Sequence, residues 1–158
     1  MTGVTKPVEF RPADSGAEPG VGLIRAMSDE IGALYPIGLE APGMPTATPS
    51  DLGPPGGTFL VGWRDGAAVC CGGVKRLPDS ACEIKRMYVV PAARSQGVAR
   101  ALLVALEDAA RQLGYATARL DTGAKQPHAQ ALYESAGYRP IGNFNANPVA
   151  SFWGEKVL

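Results

Sequence analysis

The residues with the clearest chemical use lie at Arg94-Ser95-Gln96-Gly97-Val98-Ala99-Arg100, just after the apolar run that ends at Val90-Pro91. A strand ends there, a short polar turn follows, and a long amphipathic helix begins. The first N–H groups of a helix have no partner within it, and the helix dipole adds positive potential at that end. Such a terminus attracts a phosphate. Gly97 has no Cβ to hold an anion away from the backbone, Ala99 keeps the next turn thin, and Arg94 and Arg100 can supply charge. An equally simple reading is that Gly97 only relieves a tight strand-to-helix turn. Two other phosphate motifs are absent: no GxxxxGK is followed by Ser or Thr, and no GxGxxG follows a strand. A P-loop NTPase and a dinucleotide-binding fold are therefore disfavoured.

Other reactive side chains give weaker signals. Cys70, Cys71 and Cys82 are odd in number and lack the CxxC spacing of a metal or redox site, so they read as ordinary buried thiols and no metal is expected. Adjacent Cys70 and Cys71 should face opposite sides of a strand. His128 is the only histidine. One residue past Pro127 on a polar face, it reads as a surface residue.

The elements that must position these groups follow from periodicity and turn chemistry. Val8 to Phe10 is a short first strand. Val21 to Tyr35 places Leu23, Ile24, Met27, Ile31 and Leu34 at helical spacing, and Pro36 stops that helix. Half of the residues from Pro36 to Gly57 are Pro or Gly. A loop this long in a compact domain tends to be functional; Ile37, Leu39, Met44 and Leu52 could pack it back. Thr58–Arg64 and Ala67–Leu77 are joined by Asp65-Gly66, the strongest two-residue hairpin signal. Ala81–Val90 completes a three-strand meander. Val98–Leu113 then carries Ala99, Leu102, Leu103, Leu106, Ala110 and Leu113 on one stripe, with Gly114 at the stop. Ala116–Asp121 is a strand. Pro127 opens a helix that Gly137 ends, and Gln126 is a plausible cap. Tyr138–Ile141 and Ser151–Val157 are the final strands. This order predicts an α+β or α/β sandwich around a mixed sheet.

Composition sets the outer bounds. A chain of 158 residues is expected to form a single domain with a real core, 46% of it hydrophobic and 19% charged. Lys plus Arg and Asp plus Glu both number 15, which argues against a nucleic-acid binder that tracks phosphates. No stretch has the length of a membrane span. Met1 to Phe10 shows no secretory pattern, so the expected location is the cytoplasm.

Three blocks together point to one family. Arg94-Ser95-Gln96-Gly97-Val98-Ala99 resembles the Arg/Gln-x-x-Gly-x-Gly/Ala signature of the GNAT superfamily of N-acetyltransferases. Upstream, Glu83-Ile84-Lys85-Arg86-Met87-Tyr88-Val89 is similar to that family's fourth strand. Downstream, Ala131-Leu132-Tyr133-Glu134-Ser135-Ala136-Gly137-Tyr138 resembles its LYxxxGF/Y helix end. The resemblance implies a mixed, mostly antiparallel sheet of about six to seven strands flanked by helices. It also implies acetyl-CoA as co-substrate and a direct attack by a primary amine in a ternary complex.

It further implies a bulge in the strand ending at Val89 and a splay of that strand from Ala116–Asp121. The pantetheine arm would bond to Met87, Tyr88 and Val89 as an added strand would, with the pyrophosphate on Arg94 to Arg100. An N–H near Val89 would polarise the thioester carbonyl. Glu83 occupies the position where some members carry a catalytic Glu, able to take a proton from the amine; otherwise it is a solvent-facing Glu paired with Lys85 or with a neighbouring strand. If the strand is regular, Glu83, Lys85, Met87 and Val89 share one face. Tyr133 matches the Tyr that protonates the departing thiolate, although it also lies on an apolar face. Gln126 stands where many relatives have Asn, so its cofactor role and a helix-cap role both stay open. The acceptor should lie among the helix near Val21–Tyr35, the Pro36–Gly57 loop and the Phe144–Pro148 connection. A small-molecule amine is favoured. A protein or peptide amine, a non-catalytic acyl-CoA module and a homodimer stay open.

Overall fold

The computed structural model describes residues 5–38 and 41–158. Leu39, which the sequence offered as a packing residue of the long loop, lies outside them. Seven strands form one sheet: β1 (Glu9–Pro12), β2 (Thr58–Arg64), β3 (Ala67–Arg76), β4 (Cys82–Val89), β5 (Thr117–Gly123), β6 (Arg139–Pro140) and β7 (Ala150–Val157). Their spatial order is β1-β2-β3-β4-β5-β7-β6. Every neighbouring pair is antiparallel except β4–β5. Three α-helices accompany it: α1 (Gly20–Leu34), α2 (Val98–Gln112) and α3 (Pro127–Ser135). The expected fold class is therefore the one observed.

Local chemistry explains the main elements. Asp65 and Gly66 both have positive φ, 52° and 76°, as the tight β2–β3 turn demands. The α2 stripe lands as its period predicts: Leu102, Leu103, Leu106 and Ala110 are buried in a cluster with Val74, Cys82, Ile84 and Leu120. On the opposite face, Leu23 and Met27 of α1 pack with Phe59, Val61, Cys71 and Tyr88. Cys70 belongs to the first cluster and Cys71 to the second, as strand alternation requires. Adjacent Gly72 and Gly73 admit one leucine from each side: a Cβ on Gly72 would meet Leu106 at 2.6 Å, and one on Gly73 would meet Leu52 at 2.7 Å.

Some boundaries move. β1 begins one residue later than expected and runs through Pro12, and β5 extends to Gly123. β6 keeps only Arg139–Pro140, because Tyr138 turns into the core, where it is 2% exposed. Leu34 and Leu113, expected on the apolar stripes, are exposed at the last turns of their helices. The Pro/Gly-rich segment forms no regular element among its described residues, yet Met44 and Leu52 are buried.

Candidate active site

The defining feature is a split in the sheet. β4 and β5 pair in parallel only at Cys82↔Ala118 and Glu83↔Arg119, and beyond Glu83 they part. On its other side β4 carries a bulge. Cys71 pairs with Tyr88 and Gly73 with Lys85, so Arg86 and Met87 together oppose Gly72, and Arg86 has φ of 59°. The bulge changes the parity of the strand. Glu83 and Lys85 lie on the α1 face with Tyr88, whereas Met87 and Val89 pack against the α2 cluster. The regular-strand alignment of Glu83, Lys85, Met87 and Val89 is thus corrected.

Beside the split is a cavity of about 160 Å³. Its walls include Lys85, Arg86 and Met87 of β4, Asp121, Thr122 and Gly123 of β5, and Tyr133 of α3. Tyr133 is the only expected catalytic residue that lines it directly. Its hydroxyl is buried, with Met87 Sδ at 3.8 Å. Burial raises its pKa above the ordinary phenol value, and the charge of Asp121 adds to that rise. The phenol therefore stays protonated and available as a donor.

Glu83 is 2% exposed and does not line the cavity. Its Oε2 accepts from Asn145 Nδ2 at 2.8 Å and faces Lys85 Nζ at 3.5 Å. The solvent-facing alternative is thus corrected: Glu83 does pair with Lys85, but in the interior. Burial pushes its carboxyl above the ordinary value, with Lys85 and Asn145 opposing and Asp121 reinforcing. Burial likewise lowers the Lys85 ammonium, against the pull of Glu83. The sequence reading missed the group this network leads to. Asn145 Nδ2 also donates to Asp121 Oδ2 at 2.6 Å, and Asn147 Nδ2 reaches the same oxygen at 3.0 Å. A carboxylate closing the strand Ala116–Asp121, which the resemblance places beside the splay, was the available signal.

The turn after β4 has the expected build. Ser95 and Gly97 have φ of 61° and 79°, and a Cβ on Gly97 would meet nothing within 4 Å. No side chain caps α2, and its first turn has no acidic residue. Val98 is buried beneath it, and Gln96 Nε2 donates to Ala92 O at 3.2 Å. The two arginines are engaged with the protein. Arg94 donates to Val89 O at 3.0 Å and to Glu30 Oε2 at 2.8 Å, and Arg100 donates to Ser135 Oγ at 2.7 Å. Ala99 is half-buried between them. Gln126 makes no cap hydrogen bond; its Oε1 accepts from the Tyr35 hydroxyl at 3.3 Å, closing one end of the cavity. His128 is exposed, and all three cysteines are free and buried.

Known proteins resemble this chain over most of its length. The Acetyltransferase (GNAT) family pattern matches residues 24–138. The IAA acetyltransferase of Azospirillum brasilense is 34% identical over 142 residues, spanning 87% of this chain and 90% of that protein. A Klebsiella pneumoniae structure described as a candidate acyl-CoA N-acyltransferase superposes with a TM-score of 0.78 at 29% identity, covering 96% of this chain and 97% of that one. A GNAT acetyltransferase of Elizabethkingia anophelis, solved with acetyl-CoA bound, shares the fold at 16% identity, with a TM-score of 0.67 and coverage of 96% and 98%. The family match takes in both strands of the split, the turn at Gly97 and Tyr133, and the chain accordingly belongs to the GNAT family and is an acyltransferase.

Proposed function

We propose that this protein moves an acetyl group from acetyl-CoA to the primary amine of a small molecule, and that residues 1–158 form one domain for that purpose. The observation that carries this reading is the split beyond Glu83, which leaves the β5-facing edge of β4 without a ladder partner and opens the cavity beside it. An extended pantetheine arm fits such an edge, bonding to the backbone of Met87, Tyr88 and Val89. The open space at Gly97 and the uncapped start of α2 suit a pyrophosphate on Arg94, Ser95, Gln96, Gly97, Val98, Ala99 and Arg100. When bound, acetyl-CoA supplies the activated thioester.

Tyr133 holds a proton for the departing sulfur, and a backbone N–H near Val89 stabilises the carbonyl oxygen as charge develops. Glu83 contributes the buried negative charge at the acceptor end. Gln126 shapes the cavity wall through Tyr35. Met44 and Pro45 close the cavity from the long loop, which favours a small molecule over an extended peptide. The name of the Azospirillum relative points the same way. A purified protein offered acetyl-CoA and a panel of amines should release CoA only in their presence. Amine-independent hydrolysis, or acetylation confined to peptides, would refute the small-molecule reading.

A further inference from the structure

The expected base, Glu83, does not line the cavity. Asn145 and Lys85 both reach its Oε2, and the residue is 2% exposed. Asp121 is different. It lines the cavity itself, on the α1 side of the split, with Tyr133 across the same space. Both amide contacts to Asp121 fall on Oδ2, from Asn145 and Asn147. Oδ1 has no hydrogen-bond partner among the described residues, and no buried side-chain oxygen there lacks one, so Oδ1 is the oxygen open to the cavity.

The direction of the Asn145 amide is fixed from behind. Its Oδ1 accepts from Trp153 Nε1 at 3.1 Å and from Asn147 N at 3.2 Å. A flipped amide would set its oxygen against two carboxylates and its NH₂ against two donors. Asn145 therefore holds Glu83 and Asp121 in one arrangement, each on one amide hydrogen. Apolar parts of the wall include Met27, Ile31, Met44, Pro45 and Val149.

The geometry points to Asp121 as the carboxylate that receives the acceptor's ammonium group, with Glu83 as a positioning residue behind it and a primary amine on an apolar body as the acceptor class. This deepens the acyl-transfer reading and rests on it. The ammonium gives one proton to Asp121, leaving a neutral amine. Its nitrogen attacks the thioester carbon; a C–N bond forms and the C–S bond breaks. The thiolate takes a proton from Tyr133, which recovers one from the acylated nitrogen; Asp121 releases its proton to solvent, and the products are an amide and a free thiol. The charge of Asp121 opposes ionisation of Tyr133, in keeping with their shared space. The groups facing Asp121 are Lys85 and Arg86 of β4, Glu83 through Asn145, Tyr133 of α3, and Tyr35 at the end of α1; the segment before β7 contributes only the amides of Asn145 and Asn147.

The test compares Asp121→Asn and Glu83→Gln with the parent, using acetyl-CoA and a series of primary alkylamines and arylalkylamines. Asp121→Asn should lower kcat on the order of 10²-fold, with partial recovery as rising pH deprotonates the amine. Its KM for acetyl-CoA and its melting midpoint should match the parent, which shows that the fold and the cofactor turn survive. Glu83→Gln keeps an oxygen for Asn145 and should lower kcat less. Parent-like turnover of Asp121→Asn across the pH range would overturn the assignment, as would a larger kcat loss in Glu83→Gln. A parent that releases no CoA with any amine would sink the acyl-transfer reading first and this assignment with it, so the two failures are told apart by the parent alone.

Discussion

Removing one oxygen atom from Tyr133 tests its donor role without emptying the space around it. Tyr133 and Tyr138 are in edge-to-face contact, with centroids 6.1 Å apart, so each is a control for the other. Among the described residues, the Tyr133 hydroxyl has Met87 Sδ, at 3.8 Å, as its one hydrogen-bond partner. A thioether is a weak acceptor, so Tyr133→Phe should change stability by less than about 1 kcal/mol. A hydrogen bond from this phenol to a developing thiolate is charge-assisted, worth roughly 1.5–3 kcal/mol. Its loss converts to a fall in kcat of roughly 10- to 150-fold.

Tyr138 donates instead to Glu107 Oε2 at 2.8 Å, in the interior beside Lys156. Tyr138→Phe should therefore cost about 1.5–3 kcal/mol of stability, or roughly 3–12 °C of melting midpoint for a chain of this size, and leave kcat unchanged. Turnover is read as CoA release at saturating amine, and stability by urea and thermal unfolding. Tyr133→Phe with parent turnover and a large loss of stability would refute the donor role and restore a purely packing role.

Three further outcomes are expected. Gly97→Asp places a carboxylate where the α2 N-terminus should receive phosphate, and calorimetry should show acetyl-CoA binding lost; parent-like affinity would remove the cradle from the proposal. Gly72→Ala sets a methyl 2.6 Å from the fully buried Leu106 side chain and should cost about 1–3 kcal/mol in urea unfolding; an unchanged midpoint would show that Leu106 moves aside freely. Burial raises Cys70 from 9.0 to about 11 and Cys71 and Cys82 to about 12. The folded state holds those protons after the unfolded chain would release them, so this contribution to stability is complete below about pH 9 and is lost as pH rises toward 11–12. Unfolding midpoints that stay level from pH 8 to 11 would contradict it.

Much of this molecule was legible because the signals are local. Asp65-Gly66 encodes its own turn, the α2 stripe its own buried face, and Gly97 its own left-handed backbone. What was not legible depends on partners far away in sequence. The resemblance implied a bulge before Val89, but its place at Arg86–Met87 is set by the Cys71–Gly73 stretch of β3. Glu83 reads as an ordinary strand carboxylate until Asn145, 62 positions on, is brought against it. Asp121 looked like the last residue of a strand; its meaning comes from the parting of β4 and β5 around it. Arg94 was expected to present free charge, but Glu30 of α1 lies within reach of it in the fold.

The bulge has one more consequence, for how substrate choice can be altered. It divides β4 into two reading frames. Positions 83 and 85 lie on the α1 face, and positions 87 and 89 pack against the α2 cluster. Under the proposed function, changing the amine that is accepted calls for substitutions upstream of Arg86, where they leave the frame of the pantetheine edge intact. Deleting a single residue at the bulge would merge the frames and exchange the surroundings of every side chain on one half of the strand. In the proposed reaction two recognition tasks stay separable on one short strand, and the separation rests on one extra residue.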